Sequence, residues 1–246
     1  MPACPRATPL VILSQPYYWG EPAITVQTNN DLNKHGSRSA QTRQRFIDSA
    51  QKLLAQRGVD AVSINELTAA AGQRNRNALQ YHFGDRNGLL QAIIDYHATR
   101  VTTLRSGLLA KTETGEYETK SPTAAEVLIR PLVDYIAQQP EGVYYIMILS
   151  QLAILDSPKI NPRGQARVNF QEDRQLLSMM KNARAHLTPG EARQRMFLAT
   201  SLTFHGIADI CRACGDTPAA MRDTAAMFEQ LISAVNAILA APATEG

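Results

Sequence analysis

The residues best suited to chemistry form a short polar run in the first half of the chain. Six side chains between positions 74 and 81 carry charge or can form hydrogen bonds: Arg74, Asn75, Arg76, Asn77, Gln80 and Tyr81. Arginine suits the edge of guanine, asparagine and glutamine suit adenine, and tyrosine can reach a phosphate oxygen. A set of this composition predicts contact with the base edges and backbone of duplex DNA.

A short helix is predicted just before this run. Ser63 and Glu66 have the spacing of a capping box, in which each side chain bonds to the backbone of the other residue. Apolar residues then recur at helical spacing from Ile64 to Ala71. Gly72 ends the helix, because glycine readily adopts the left-handed backbone of a sharp turn.

A second short helix is predicted over residues 76–83. Leu79 and Phe83 are four residues apart and share one face. The polar residues of the run lie on the other face. Two short helices joined by a tight turn, the second with a polar outer face, predict a helix-turn-helix with a recognition helix.

Residues 41–90 resemble the DNA-binding domain of the tetracycline-repressor (TetR) family of transcriptional regulators. The matching features are Arg57-Gly58-Val59, Ser63-Ile64-x-x-Leu67, Ala70-Ala71-Gly72, Leu79, His82-Phe83 and Arg86-x-x-Leu89-Leu90. The sequence departs from the family twice. The turn after Gly72 is one residue longer than usual, and Gln80 stands where the family most often has a phosphate-binding tyrosine.

Other residues join the predicted DNA contacts. Arg43 is expected on the outer side of the first helix, and Arg86 matches a family position that binds phosphate. The predicted DNA-binding set is Arg43, Ser63, Arg74, Asn75, Arg76, Asn77, Gln80, Tyr81, His82 and Arg86.

The charge distribution agrees with this prediction. The whole chain of 246 residues has a formal net charge of +3. Residues 34–90 contain nine basic and four acidic residues, a net charge of +5, whereas the remainder contains sixteen basic and eighteen acidic residues, a net charge of −2. A solvated charged face would be an alternative explanation. With the helix-turn-helix pattern, the asymmetry favours phosphate attraction at one end of the molecule.

The resemblance implies an all-α fold with two domains. We expect a flexible N-terminal arm over residues 1–36, a helix-turn-helix domain over 37–85, and a larger helical effector-binding and dimerisation domain over 86–242. The arm could reach into a minor groove or be an upstream extension. Helical periodicity, prolines and caps predict helices over 39–56, 86–109, 121–139, 143–155, 164–186, 188–214 and 217–241.

The last two predicted helices suggest a homodimer. Helix 188–214 is apolar on nearly every side, so it needs cover on every side. An antiparallel helix pair packed against a second copy provides such cover, and the resemblance implies the same four-helix interface.

An apolar effector site is expected in the larger domain, because its helices contain many aromatic and methionine side chains. Core packing is the competing explanation for each of them, above all for His97 on an apolar face. The predicted effector-binding set is His97, Tyr135, Tyr144, Tyr145, Met147, Phe170, Phe204 and His205.

Catalysis and cofactors find little support. The sequence has no glycine-rich phosphate loop and no Gly-x-Ser-x-Gly motif. Cys211 and Cys214, with His205 nearby, are too few for a zinc site, so we interpret them as core residues, with a redox role as the alternative. We expect no metal and no cofactor.

Cellular location is also predicted from the sequence. Three cysteines suggest a reducing compartment, and no apolar run is long enough for a membrane span or a secretory signal. We therefore expect a cytoplasmic protein.

The sequence therefore predicts a ligand-responsive transcriptional repressor, not an enzyme. It would bind a near-palindromic DNA operator as a dimer and be released by a small apolar effector. Two alternatives stay open: an effector-independent DNA-binding protein, and an α-helical enzyme with a vestigial helix-turn-helix.

Overall fold

The computed structural model describes residues 30–75, 77–113, 121–155, 167–169, 173–213 and 218–243. These residues form helices without strands, which confirms the predicted all-α fold. The helices are α1 (Asn30–Arg57), α2 (Ile64–Ala70), α3 (Asn77–Phe83), α4 (Arg86–Glu113), α5 (Ala124–Gln138), α6 (Gly142–Leu155), α7 (Arg174–Asn182), α8 (Pro189–Ala213) and α9 (Pro218–Ala240).

Helix α1 begins earlier than the sequence suggested. It starts at Asn30, so residues 30–36, predicted as part of a flexible arm, are helical. The last proline of the N-terminal segment is Pro22, and none occurs between it and the end of α1. Gly36 destabilises a helix by about 1 kcal/mol relative to alanine, and the helix continues through it. The rest of the predicted arm lies outside the described residues.

The start of α5 also differs from the prediction. Thr123 is the N-cap, and its Oγ1 accepts a hydrogen bond from the Glu126 backbone N–H at 3.2 Å. The Glu126 carboxylate accepts from the Thr123 N–H at 2.9 Å. Helix α5 therefore begins at Ala124 and not at residue 121, and Pro122 precedes the cap.

Helix α7 is much shorter than the predicted helix over 164–186. Asp173 caps it, because its carboxylate accepts from the Leu176 backbone N–H at 3.0 Å. A side chain that bonds to nearby backbone in this way competes with continuation of the helix. Residues 167–169 are not helical, and residues 164–166 and 170–172 lie outside the described residues.

The first four helices share a compact apolar core. Phe46 of α1, Leu67 of α2, Leu79 of α3 and Leu89 of α4 are all fully buried. Phe83 packs against this core, and its ring meets Phe46 edge to face with centroids 5.6 Å apart. The core fixes α3 so that one face is inside and the other faces solvent.

Beyond this core, α4 packs against α5 and α6, while α8 packs against α6 and α9 packs against α5 and α8. Ile129 of α5, Ile146 and Ile148 of α6, and Ile207 of α8 have no exposed surface. Helices α8 and α9 approach closely where Gly206 faces Leu231. None of the described helices combines the length and the apolar character that a membrane span requires.

Candidate nucleic-acid interface

Helix α2 begins with the predicted capping box. The Ser63 Oγ accepts from the Glu66 backbone N–H at 3.2 Å, and the Glu66 carboxylate accepts from the Ser63 N–H at 2.8 Å. The Ser63 backbone bond is the main cause that lowers the pKa of Glu66 to about 2, with Arg57 contributing at 2.6 Å. Ser63, predicted as a DNA contact, therefore holds the start of α2.

Helix α3 presents the predicted reading face. Asn77 and Gln80 are exposed, and 80% of the Tyr81 surface is accessible. Leu79, between them in sequence, is 1% exposed and anchors the opposite face in the core. The structure thus brings these three predicted contacts together on one outward surface.

The turn before α3 has a local hydrogen bond of its own. The Asn75 side-chain oxygen accepts from the Asn77 backbone N–H at 2.9 Å. Asn75 therefore helps to begin the helix, a role that the sequence analysis did not assign to it. Arg74 is exposed beside it, and Arg76 lies outside the described residues.

A groove separates α2 from α3 on the same side of the molecule. It has a volume of about 350 Å³ and is lined by Ser63, Ile64, Asn65, Asn77, Leu79, Gln80, Gly84 and Asp85. Ile64, predicted inside the apolar stripe of α2, is 42% exposed. That prediction was wrong for Ile64: Val62 and Leu67 fill the core, and Ile64 at the start of α2 is left facing out. Sequence reasoning also missed Asn65, which lines the groove.

Aromatic contacts tie α3 to α1. The Arg43 guanidinium lies over the Phe83 ring, 5.0 Å from its centroid. This predicted DNA contact is therefore held beside the C-terminal end of α3. His82 is half-buried, and its ring contacts that of Tyr81 with centroids 5.0 Å apart. Burial and then the nearby Arg43 charge lower the pKa of His82, which favours the neutral imidazole.

Arg86 has partners inside the domain. Its guanidinium donates to the backbone carbonyls of Val59 and Val62, in the loop between α1 and α2. Its resemblance to a TetR-family position predicts that Arg86 binds phosphate. The structure gives it a positioning role in addition, because it fixes the loop from which α2 starts.

Three of the predicted effector residues form a buried polar cluster. His97 has no exposed surface, and its imidazole stacks on Tyr145 with centroids 4.9 Å apart. Its Nδ1 lies 2.6 Å from the Tyr135 hydroxyl. The interpretation of His97 as a core histidine with satisfied hydrogen bonds is confirmed.

The other predicted effector residues are more dispersed. Tyr144 and Met147 on α6 and Phe204 and His205 on α8 are half-buried. The His205 Nε2 is buried and has no hydrogen-bond partner among the residues that the structure describes. Phe170 lies outside the described residues.

Cys211 is half-buried at the end of α8, and Cys214 lies outside the described residues. Within the described ranges, no three acidic, histidine or cysteine side chains are grouped as metal ligands would be.

Comparison with known proteins agrees with this geometry. Residues 46–93 match the family described as bacterial regulatory proteins, tetR family. The chain is 22% identical over 161 residues to the HTH-type transcriptional regulator AcrR of Shigella flexneri, covering 63% of this chain and 70% of that protein.

Two solved structures are also similar. A TetR-family regulator from Rhodococcus sp. is 20% identical, with 81% of this chain and 99% of that chain covered and a TM-score of 0.43. Another from Streptomyces coelicolor is 16% identical, with 81% and 95% covered and a TM-score of 0.43.

The match over residues 46–93 contains the complete helix-turn-helix, from Phe46 under α3 to the first turns of α4. Residues 46–93 therefore form a helix-turn-helix of the tetR type, and the chain is similar to an HTH-type transcriptional regulator.

Proposed function

We propose that the protein is a homodimeric repressor that binds a near-palindromic operator and is released by a small apolar effector. The proposed DNA binding rests on one observation, that α3 has a buried apolar face and an exposed polar face. Leu79 is locked in the core, while Asn77, Gln80 and Tyr81 face outward as a set of hydrogen-bonding groups. Amides at such positions can form paired hydrogen bonds with adenine in a major groove.

We divide the chain into a head, residues 37–85, and a larger domain, residues 86–242. Helix α4 begins at this boundary and continues far into the larger domain. A rigid helix shared in this way gives the larger domain a mechanical connection to the head.

The dimer is supported by apolar side chains on the last two helices. Leu198 of α8 is 50% exposed and Met227 of α9 is 44% exposed. A second copy packed on these helices would bury them. Twofold symmetry would then place two recognition helices about 34 Å apart, one turn of duplex DNA.

The effector is supported by the half-buried Tyr144, Met147 and Phe204 of the larger domain. An apolar ligand among them would favour an arrangement in which the two heads no longer match the operator. A tenfold preference for that arrangement supplies about 1.4 kcal/mol, which must come from differential affinity for the two states.

Operator binding is tested on a duplex that the protein itself selects. The wild-type protein retains duplexes from a random library, and the selected duplex becomes the probe for variants. Gln80→Ala should weaken binding by about 1–3 kcal/mol and relax the preference at one base pair of each half-site. Gln138→Ala, at an exposed position near the end of α5, is the matched control and should bind as the wild type does.

Arg76→Ala is the second reading-face variant and should also weaken binding while leaving the dimer intact. Unchanged affinity and unchanged base preference in both variants would refute the assigned reading face.

Release by an effector is tested on the preformed complex. Small apolar compounds are added to protein bound to fluorescent duplex, and anisotropy reports release. A compound that binds the protein and leaves DNA affinity unchanged would contradict the switching mechanism. Transcription in vitro from a promoter that contains the selected duplex then gives the sign of control.

One observation favours a second function, effector-independent DNA binding. His97, Tyr135 and Tyr145, three of the predicted effector residues, are held together by stacking and by the bond between His97 and Tyr135. If the compound screen yields no ligand and the purified dimer binds the duplex constitutively, this second function is the better one.

A further inference from the structure

The side chain of Gln151 on α6 reaches the C-terminal end of α1. Its Oε1 accepts from the Val59 backbone N–H at 2.7 Å. Its Nε2 donates to the carbonyls of Leu54 at 3.2 Å and Ala55 at 3.4 Å. The last carbonyls of a helix have few partners within the helix itself, so they need bonds from elsewhere. Here a side chain of the larger domain caps a helix of the head.

The loop that follows α1 is held from the larger domain at several points. Gly58 begins it with a left-handed backbone, φ 108°. Arg86 donates to the carbonyls of Val59 and Val62. Arg167 forms an ion pair with Asp60 at 2.5 Å. The next residue after this loop is the N-cap of α2, so the position of the loop sets where the helix-turn-helix starts.

Gln151 also lies on the same face of α6 as two predicted effector residues. Tyr144, Met147 and Gln151 are spaced i, i+3 and i+7, which places them along one side of a helix. All three are half-buried. A shift or rotation of α6 caused at Tyr144 or Met147 would therefore move the Gln151 amide as well.

We propose that Gln151 is a positioning residue for DNA binding. It fixes the orientation of each head on the larger domain, and so it sets the separation of the two recognition helices in the dimer. The contact forms a direct route from α6 to the start of α2 that does not pass along α4. This inference rests on the proposed function, because separation has meaning only for a dimer on paired half-sites.

The test measures spacing discrimination instead of affinity alone. The probes are the duplex selected by the wild-type protein and two versions with one base pair inserted or removed between the half-sites. The wild type should prefer the selected spacing at least tenfold. Gln151→Leu keeps the bulk of the side chain and removes its hydrogen bonds. It should bind the selected duplex less tightly and the altered duplexes about as well as the wild type does, so that the preference falls about tenfold.

Ser150→Ala is the matched control on the same helix. Ser150 is buried, and its hydroxyl bonds to the Met147 carbonyl within α6. This variant should retain the wild-type preference even if it is less stable, because general destabilisation reduces binding to all three duplexes by the same factor.

Each outcome decides one question. A wild-type preference retained in Gln151→Leu would overturn the positioning role. If that variant does not fold, Gln151→Glu replaces it, because the glutamate keeps the acceptor for the Val59 N–H and loses the donor. A wild-type spacing preference in Gln151→Glu would also overturn the positioning role.

A wild-type protein without any spacing preference would instead refute the paired-site proposal. In that case the rate of hydrogen exchange at the Val59 backbone amide tests the role of Gln151. The exchange should be faster in the variant than in the wild type, and an unchanged rate would overturn the capping role.

Discussion

The Nδ1 atom of His97 lies 2.6 Å from the hydroxyl of Tyr135, between helices α4 and α5. The other ring nitrogen, Nε2, lies 2.6 Å from the side-chain oxygen of Gln51 on α1. Because that oxygen can only accept, Nε2 carries the proton and Nδ1 accepts from the Tyr135 O–H. The neutral imidazole is therefore fully bonded. A second proton would reverse the Tyr135 bond and place a charge among buried side chains.

This arrangement predicts acid-sensitive stability. Burial, and secondly the Arg100 charge, lower the pKa of His97 from 6.5 to about 4. The unfolded chain then binds a proton more readily than the folded protein. The contribution of His97 is complete above about pH 6.5 and is lost as the pH falls toward 4. At about 1.4 kcal/mol per pKa unit, it amounts to about 3–4 kcal/mol at most.

Urea unfolding of the wild type and of His97→Gln from pH 7.5 to 4.5 measures this effect. Carboxylates lose stabilising bonds in both proteins, so the difference between the two isolates His97. The free energy of unfolding should fall more steeply for the wild type. Parallel curves for wild type and His97→Gln would contradict the buried neutral state.

The two capping boxes give a prediction that separates stability from DNA binding. Ser63 caps α2 in the head, and Thr123 caps α5 in the larger domain, both with a glutamate three residues later. Replacement of either cap by alanine should cost about 1 kcal/mol of stability. Of these two variants, only Ser63→Ala should weaken binding to the selected duplex, because α2 packs against the reading helix α3 and α5 does not.

Urea unfolding and fluorescence anisotropy on the same two variants provide the comparison. Thr123→Ala serves as the control of matched stability loss. An equal loss of DNA affinity in both variants would mean that the effect of Ser63 comes from general destabilisation alone.

The helix-turn-helix could be predicted because its determinants are close in sequence. Ser63 and Glu66 are three residues apart, and Leu79 and Phe83 are four apart. The structure confirms the helices, although it turns Ile64 outward. Local rules place a residue on a helix, but its exposure depends on which neighbours already fill the core.

The interior of the larger domain depends on distant pairs, which the sequence could not supply. His97 meets a partner 38 residues later in Tyr135 and one 46 residues earlier in Gln51. Gln151 meets Val59 from 92 residues away. Periodicity can show that these side chains are inside a helix bundle. It cannot show which of them bond to each other, so a set of core residues and a set of effector residues have the same sequence pattern.

Two glycines should respond to alanine in opposite directions. A Cβ at Gly142 would lie 2.9 Å and 3.0 Å from the Tyr135 ring atoms Cε1 and Cδ1. The ring cannot yield freely, because its hydroxyl is bonded to His97. Gly142→Ala should therefore cost about 1–3 kcal/mol, as overpacking of a core usually does. Gly107 lies exposed on α4, and no described atom beyond the backbone of its own helix lies within 4 Å of an added Cβ, so Gly107→Ala should stabilise by about 0.5–1 kcal/mol.

Thermal and urea unfolding of both variants check the direction, and a third variant checks the cause. Tyr135→Phe releases the ring from His97 while keeping its volume. If the bond to His97 is what makes the site rigid, Gly142→Ala should cost less in the Tyr135→Phe background than in the wild type, because the freed ring can move aside. Equal costs in the two backgrounds would show that the backbone near Ile136, 3.4 Å from the added Cβ, resists the methyl group instead.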